Sequence, residues 1–339
     1  MKAAVFAYSR QGCKTARRVM EFLQNDECRA FTIERFKEPD FRPIPNPSRS
    51  HYAACFAWAD ALIFVGSCGI AVREIAPFVT DKKADPAVLC FDELGRFVIP
   101  LLSGHIGGAN ELALKLAGFL GAAPVITTAT DINRKFSVDT WAARNGYAIS
   151  SMHAAKAVSA AVLERDVPLT SDFPIVTELP AGVTVGESGH VGICLTYRKQ
   201  EPFGITLRLI PKILHLGIGC RRGTEVSAIR EAVNTALNGN DIDRHAIKSV
   251  VSIDIKATEQ GLLQFCAENN WPVSFHTAEE LRAVEGDFTP SEFVQSVTGV
   301  DNVCERAALL GAEKLIVKKT VRNGVTVALA AEHWEVRFG

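Results

Sequence analysis

The chain has no uninterrupted apolar run approaching the about 18 residues that a membrane-spanning helix needs, so no span is expected. It has no excess of one charge: 37 Lys and Arg stand against 38 Asp and Glu, which removes the global basic field of a nucleic-acid binder. A charged ligand must then be met by local clusters. No C-x-x-C pair occurs among the nine cysteines and their spacing is irregular, which argues against a disulfide framework or a structural zinc site. Reduced thiols serving as small buried residues in a cytoplasmic protein is the simpler reading. No glycine loop is G-x-G-x-x-G with the acidic partner of a dinucleotide site, and none is G-x-x-x-x-G-K-[ST]. No H-x-x-x-H or similar ligand cluster occurs, so no metal site is expected. The N-terminal MKAAVFAYSRQGCK turns polar after one short apolar run, unlike a secretory leader.

What is present is an alternation of apolar strands and amphipathic helices. At 339 residues the chain is long for one domain. Residues 2–8, 61–65, 86–91, 96–102 and 124–128 read as strands, and 109–120 as a helix ended by Gly121. Residues 92–95, Asp-Glu-Leu-Gly, are a turn-like break between neighbouring strands. From about residue 130 the pattern changes, and 168–189 is rich in Pro, Gly and Ser with weak periodicity. A second strong pattern begins at Lys212: strands at 213–218, 249–253 and 273–275, helices at 259–269 and 302–310, and a hairpin through Asn323-Gly324. Thr224 is placed to cap the helix that follows it. These readings predict a multi-domain α/β protein. N-terminal (1–133) and C-terminal (212–339) parallel-sheet domains flank a small middle domain (134–211).

Two strands of the first domain run into small-residue loops and then helices. The first loop holds Gly66, Ser67, Cys68 and Gly69, and the second holds Ser103, Gly104, His105, Ile106, Gly107 and Gly108. Strand, glycine turn, helix N-terminus is an arrangement that receives anions, and two such units within about forty residues are a stronger signal than one. The last domain has a related loop, Gly217 to Gly223, with Gly219, Arg221 and Arg222 inside it.

Several side chains on these loops could carry chemistry. His105 is either a proton shuttle or a loop histidine bonded to backbone. Glu111 either complements the dipole of the next helix or orients His105. Arg73 either grips a ligand carboxylate or pairs with Glu74 or another acid. Cys68, near a helix N-terminus, is more simply a packing residue than a nucleophile. Arg221 and Arg222 suit an anionic ligand or a solvated surface equally. Asp254 and Lys256 follow a strand end, where α/β sites form, while Glu305 and Arg306 read as surface or ion-paired residues.

The segments VGSCGIAVREIAPF, LLSGHIGGANELA and ITTATD resemble the N-terminal part of the CbiG family of cobalamin biosynthesis. LGIGCRRGT and SVTGVDNVCERAALLGA resemble that family's C-terminal domain. The likeness spans nearly the whole chain in order, with the middle matching more weakly. It implies a cobalt-precorrin 5A hydrolase that opens a δ-lactone on the ring A side and releases acetaldehyde. It also implies that the C-terminal domain is similar to a free-standing protein of the aerobic route.

Against that chemistry, His105 is the expected base, with Glu111 behind it, and the 107–110 backbone N–H groups the expected oxyanion donors. The expected substrate-binding set is Gly66, Ser67, Gly69, Arg73, Ser103, Gly104, Gly107, Gly108, Asn110, Gly217, Gly219, Arg221, Arg222 and Lys256. Cobalt arrives with the substrate, so no resident cofactor is implied. The expected partners are the cobalt-corrinoid intermediate and other corrin-pathway enzymes, with neither nucleic acid nor membrane. A non-catalytic corrinoid carrier is the alternative, and a sugar-phosphate enzyme a more distant one.

Overall fold

A computed structural model describes residues 1–81, 84–105, 107–133 and 135–338, and Ile106 of the second glycine loop lies outside them. The chain divides into two units, Met1–Thr140 and Trp141–Gly339. Among the described residues no helix is long and apolar enough to cross a membrane.

The first unit is built on β1 (Lys2–Ala7), β2 (Glu27–Thr32), β3 (Arg42–Pro43), β4 (Ala61–Val65), β5 (Ala87–Phe91), β6 (Phe97–Leu102) and β7 (Ala123–Pro124). Their order across the sheet is β3-β2-β1-β4-β5-β6-β7. β4 and β5 are buried throughout and β1 from Ala3 onward, as central parallel strands covered on both faces must be. Alternate residues serve opposite faces. Ala3, Val5, Ile63 and Leu89 pack with Ala16 and Val19 of the helix Arg10–Phe22 and with Ala113 and Leu116 of the helix Ala109–Leu120. Ala4, Phe6, Leu62 and Phe64 pack with Tyr52 and Cys55 of Arg49–Trp58 and with Ala71 and Ile75 of Cys68–Ile75. Ser9 caps the first of these helices, accepting from Gly12 N–H at 2.9 Å.

The sheet is not wholly parallel. The turn at 92–95 closes a hairpin, so β6 runs against β5, with Phe91 opposite Val98 and Val88 opposite Leu102. The strand expected at 124–128 shrinks to Ala123–Pro124, with Val125 N–H still donating to the Val98 carbonyl at 2.8 Å just beyond it.

The second unit carries two sheets. One holds β8 (Tyr147–Ile149), β9 (Val167–Ser171), β10 (Val183–Val185), β11 (Val191–Leu195) and β12 (Ile205–Pro211), in the order β10-β9-β11-β12-β8. Two of these strands, β9 and β10, fall where the sequence periodicity is weak. The other holds β13 (Leu214–Gly219), β14 (Ile247–Ile253), β15 (Val273–His276), β16 (Lys314–Arg322) and β17 (Val325–Ala331), in the order β15-β14-β13-β17-β16. The helices Val226–Asn238 and Gln260–Asn269 cover one face of this second sheet. Val303–Leu309 covers the other through Cys304, Ala307 and Ala308. β16 and β17 form the expected hairpin, with Asn323 and Gly324 at φ 51° and 76°. Thr224 does not cap its helix. Its hydroxyl donates to the Arg221 carbonyl at 2.8 Å, and Glu225 takes the N-cap position.

Candidate functional site

The antiparallel turn of β6 decides where His105 sits. Ser103 follows Leu102, beside the start of β5, and its hydroxyl donates to the Asp85 carbonyl at 2.9 Å. The 66–69 turn follows β4 at the other end of the sheet, where Gly66 N–H donates to the Phe91 carbonyl at 2.8 Å. At about 3.3 Å per residue, roughly 16 Å of strand separates the two turns. The two glycine loops of the first unit thus lie at opposite sheet ends.

At the His105 end a polar cluster has formed. His105 Nδ1 lies 3.3 Å from Ser137 Oγ and 3.6 Å from Asp139 Oδ1. The imidazole and the carboxylate are 21% and 10% exposed. Asp139 also accepts from Ser137 Oγ at 3.2 Å and from Thr140 N–H at 2.9 Å, which fixes the carboxylate at the start of the helix Val138–Arg144. A carboxylate and a hydroxyl facing one nitrogen of a half-buried imidazole is the orientation a general base requires at its other nitrogen. Glu111 pairs with Lys115 one helical turn on, at 2.8 Å.

Three of the four backbone donors expected at 107–110 are already engaged. Gly108 N–H donates to His105, Ala109 N–H to Ser103 and Asn110 N–H to Gly104, at 2.9, 3.1 and 3.0 Å. They close the turn instead of facing a ligand, so the oxyanion expectation narrows to Gly107 N–H. The glycines are needed for packing: a Cβ on Gly107 would stand 2.4 Å from Ser103 Cβ, and one on Gly104 would stand 2.8 Å from Asn110 Oδ1. Asn110 Nδ2 donates to Thr128 Oγ1 at 2.9 Å.

At the other end, Ser67 caps the helix Cys68–Ile75 by accepting from Gly69 N–H at 3.3 Å. Cys68 packs in the apolar cluster that holds Cys90. Arg73 is exposed and has no ion pair among the described residues, while Glu74 accepts from Ser48 Oγ at 3.5 Å.

In the second unit, β13 and β14 end side by side, and the β16–β17 hairpin tip reaches the same end, with Gly219 opposite Thr326. These loops enclose a cavity of about 570 Å³, within the range of small-molecule sites. Gly219, Arg221, Arg222 and Lys256 all line it. Gly217 does not. It is buried under the helix Val303–Leu309, where a Cβ would stand 1.8 Å from the Cys304 carbonyl oxygen and 2.8 Å from Ala308 N. Both neighbours are helix backbone and cannot rotate aside. Gly217→Ala is therefore expected to destabilise the protein by at least about 3 kcal/mol, read as a lowered urea midpoint; an unchanged midpoint would contradict this packing role.

The cations of the cavity differ. Lys256 Nζ lies 3.3 Å from Glu259 Oε2, and both side chains are largely buried, so its charge is substantially answered. Glu259 also accepts from Gly223 N–H at 2.7 Å and so anchors the arginine loop. Arg221 and Arg222 are exposed and have no ion pair among the described residues. The cavity's two thiols are neutral at neutral pH: burial pushes Cys220 up, and burial pushes Cys304 up to about 11.

Sequence reasoning missed Lys319 and misread Glu305. Glu305 is not a surface residue: it is wholly buried. Its carboxylate accepts from Thr289 N–H (2.7 Å) and Oγ1 (3.0 Å), Asn302 Nδ2 (2.7 Å) and Lys319 N–H (2.6 Å). One carboxylate thereby ties together three segments of the cavity wall with charge-assisted bonds. Arg306 does pair, with Asp301 at 2.7 Å. Lys319 stands at a bulge: three steps on β16, from Val317 to Thr320, match two on β17, from Leu329 to Val327. Simple alternation could not have found it. A Lys-Lys pair before a hairpin was the available signal.

Comparison with known proteins gives concordant matches. The family described as cobalamin synthesis G C-terminus matches residues 214–330, and that described as cobalamin synthesis G N-terminal matches residues 50–131. A cobalt-precorrin-5A hydrolase of Salmonella typhimurium is 35% identical over 346 residues, covering 97% of each chain. One of Priestia megaterium is 31% identical over 356 residues, 96% of this chain and 94% of that one. Protein CobE of a Sinorhizobium species is 35% identical over 121 residues, 34% of this chain and 79% of that one.

Proposed function

The chain belongs to the CbiG family of cobalamin synthesis, and on that premise we propose that it is the enzyme that hydrolyses cobalt-precorrin 5A to cobalt-precorrin 5B and acetaldehyde. Two relatives of full length carry the hydrolase name. The observation that carries a hydrolytic reading in this chain is the His105 imidazole set against Asp139 and Ser137.

Water adds across the ring A side δ-lactone. His105, with Nδ1 facing Asp139 and Ser137, takes the water proton at Nε2 as the oxygen attacks the carbonyl. Gly107 N–H is the backbone donor assigned to the developing oxyanion. Collapse breaks the acyl–oxygen bond and leaves a ring carboxylate and a free hydroxyl on the two-carbon arm. Deprotonation of that hydroxyl by the same base breaks the carbon–carbon bond. Acetaldehyde leaves, and the electron pair passes into the conjugated ring and is quenched by a proton. Cobalt is part of the substrate, and no resident cofactor is assigned. Arg221, Arg222 and Lys256, which line the cavity of the second unit, are assigned to the carboxylate rim of the macrocycle.

The test is direct. Purified protein incubated with cobalt-precorrin 5A is expected to release one equivalent of acetaldehyde, measured by coupled alcohol dehydrogenase. A carrier would bind the macrocycle and release none, and that result would reject the proposal.

A further inference from the structure

The cavity of the second unit has an apolar wall that faces solvent. Phe293 and Val297 on the helix Glu292–Thr298, with Val321 and Ile255, are each more than half exposed. Large apolar side chains gathered in water around one opening mark a binding surface. Arg221, Arg222 and Lys319 stand about the same opening, and none has an ion pair among the described residues. An apolar platform with unanswered cations complements a flat ring that carries carboxylates at its edge. A small sugar phosphate would leave the platform in water.

Resting on the corrinoid reading above, we propose that this cavity takes the macrocycle with one face against Phe293 and Val297, and that Lys319 is a further substrate-binding residue, holding a peripheral carboxylate. The neighbouring lysine makes the assignment specific. Lys318 is exposed and paired with Asp287 at 2.9 Å. Lys319 lines the cavity, and its backbone N–H is held by the buried Glu305 at 2.6 Å. The bulge therefore selects one of two adjacent cations for the site. Recognition by edge charge and ring face involves no bond to the central ion, so the class of ligand is a carboxylate-bearing corrinoid, whatever its axial ligands.

The test is equilibrium binding to the full chain, using cobyrinic acid, which has free carboxylates, and its heptamethyl ester, which has the same ring and cobalt without the charge. The acid is expected to bind, with the ester at least roughly tenfold weaker. Lys319→Gln should raise the Kd for the acid roughly tenfold and flatten its salt dependence, and Lys319→Arg should restore both. Phe293→Ser with Val297→Ser should weaken acid and ester alike, and Lys318→Gln should leave Kd within about twofold. Failure of the acid to bind would overturn the proposal. So would native binding by both the Lys319→Gln and the Phe293→Ser/Val297→Ser variants, or equal losses for Lys318→Gln and Lys319→Gln. Acetaldehyde release is followed in parallel. Lys319-dependent binding without release would reject the hydrolase reading alone. Release with binding indifferent to these variants would reject the present one alone.

Discussion

His105→Ala is expected to lower the rate of acetaldehyde release from cobalt-precorrin 5A by about 10²–10⁴-fold, the usual contribution of a positioned general base. Affinity for the macrocycle should hold within about twofold, because the residue acts on the reacting water and hydroxyl and not on the ring edge. The imidazole is partly exposed and meets polar groups at Nδ1, so the thermal midpoint should change little. The single base serves both lactone opening and carbon–carbon cleavage in this scheme. His105→Ala should therefore not accumulate a ring-opened hydroxyl intermediate. If that intermediate builds up, two different bases are at work. Normal acetaldehyde release would remove His105 from the mechanism entirely.

Asp139→Asn separates orientation from charge. The amide keeps the shape of the carboxylate but gives the imidazolium no opposite charge at its Nδ1 side. The expected result is a smaller loss of rate than for His105→Ala, with the acid limb of the pH–rate profile moved to lower pH. A carboxylate that merely braced the loop would leave the profile where it was.

Asp139 was not legible as His105's neighbour, because the two are 34 positions apart in sequence and only the fold brings them together. The strands and helices that were legible are those buried on two faces or one: β1, β4 and β5 as unbroken apolar runs, Ala109–Leu120 as a helical stripe ended by Gly121 in the left-handed region. The glycine loops were legible as loops but not as sites. Gly219 lines a cavity while Gly217, two residues earlier, admits a helix backbone, and both read alike in sequence. The 103–108 turn looked like an anion cradle, yet the Gly108, Ala109 and Asn110 N–H groups close the turn itself, leaving Gly107 N–H as the assigned donor. Glu305 looked like a helix-surface acid. Its burial depends on donors from Thr289 and Lys319, 16 and 14 residues away, which no local pattern announces. Weak periodicity hid β9 and β10, since both lie in a stretch dense with Pro, Gly and Ser, and β10 is only three residues long.

Removing both loop arginines, Arg221→Ala with Arg222→Ala, is expected to raise the Kd for the carboxylate-bearing macrocycle by roughly a hundredfold. A hydrogen bond to a charged group contributes about 1.5–3 kcal/mol, and exposure of both side chains puts each near the low end. The loss should sit in kcat/KM and not in kcat at saturation, since the arginines meet the ring edge and not the scissile bonds. Salt is the discriminating variable. Native affinity should fall as ionic strength rises, and the double variant should show a much shallower slope, because salt screens the attraction between exposed arginines and the ring carboxylates. The loop itself should persist without them: Glu259 still accepts from Gly223 N–H, and Thr224 still donates to the carbonyl at position 221. Replacing both by lysine retains charge but loses the planar fork, so it should recover part of the affinity and all of the salt slope. If the alanine pair binds with native affinity and native salt dependence, the ring carboxylates are held elsewhere and the cavity's cations are ordinary surface charge.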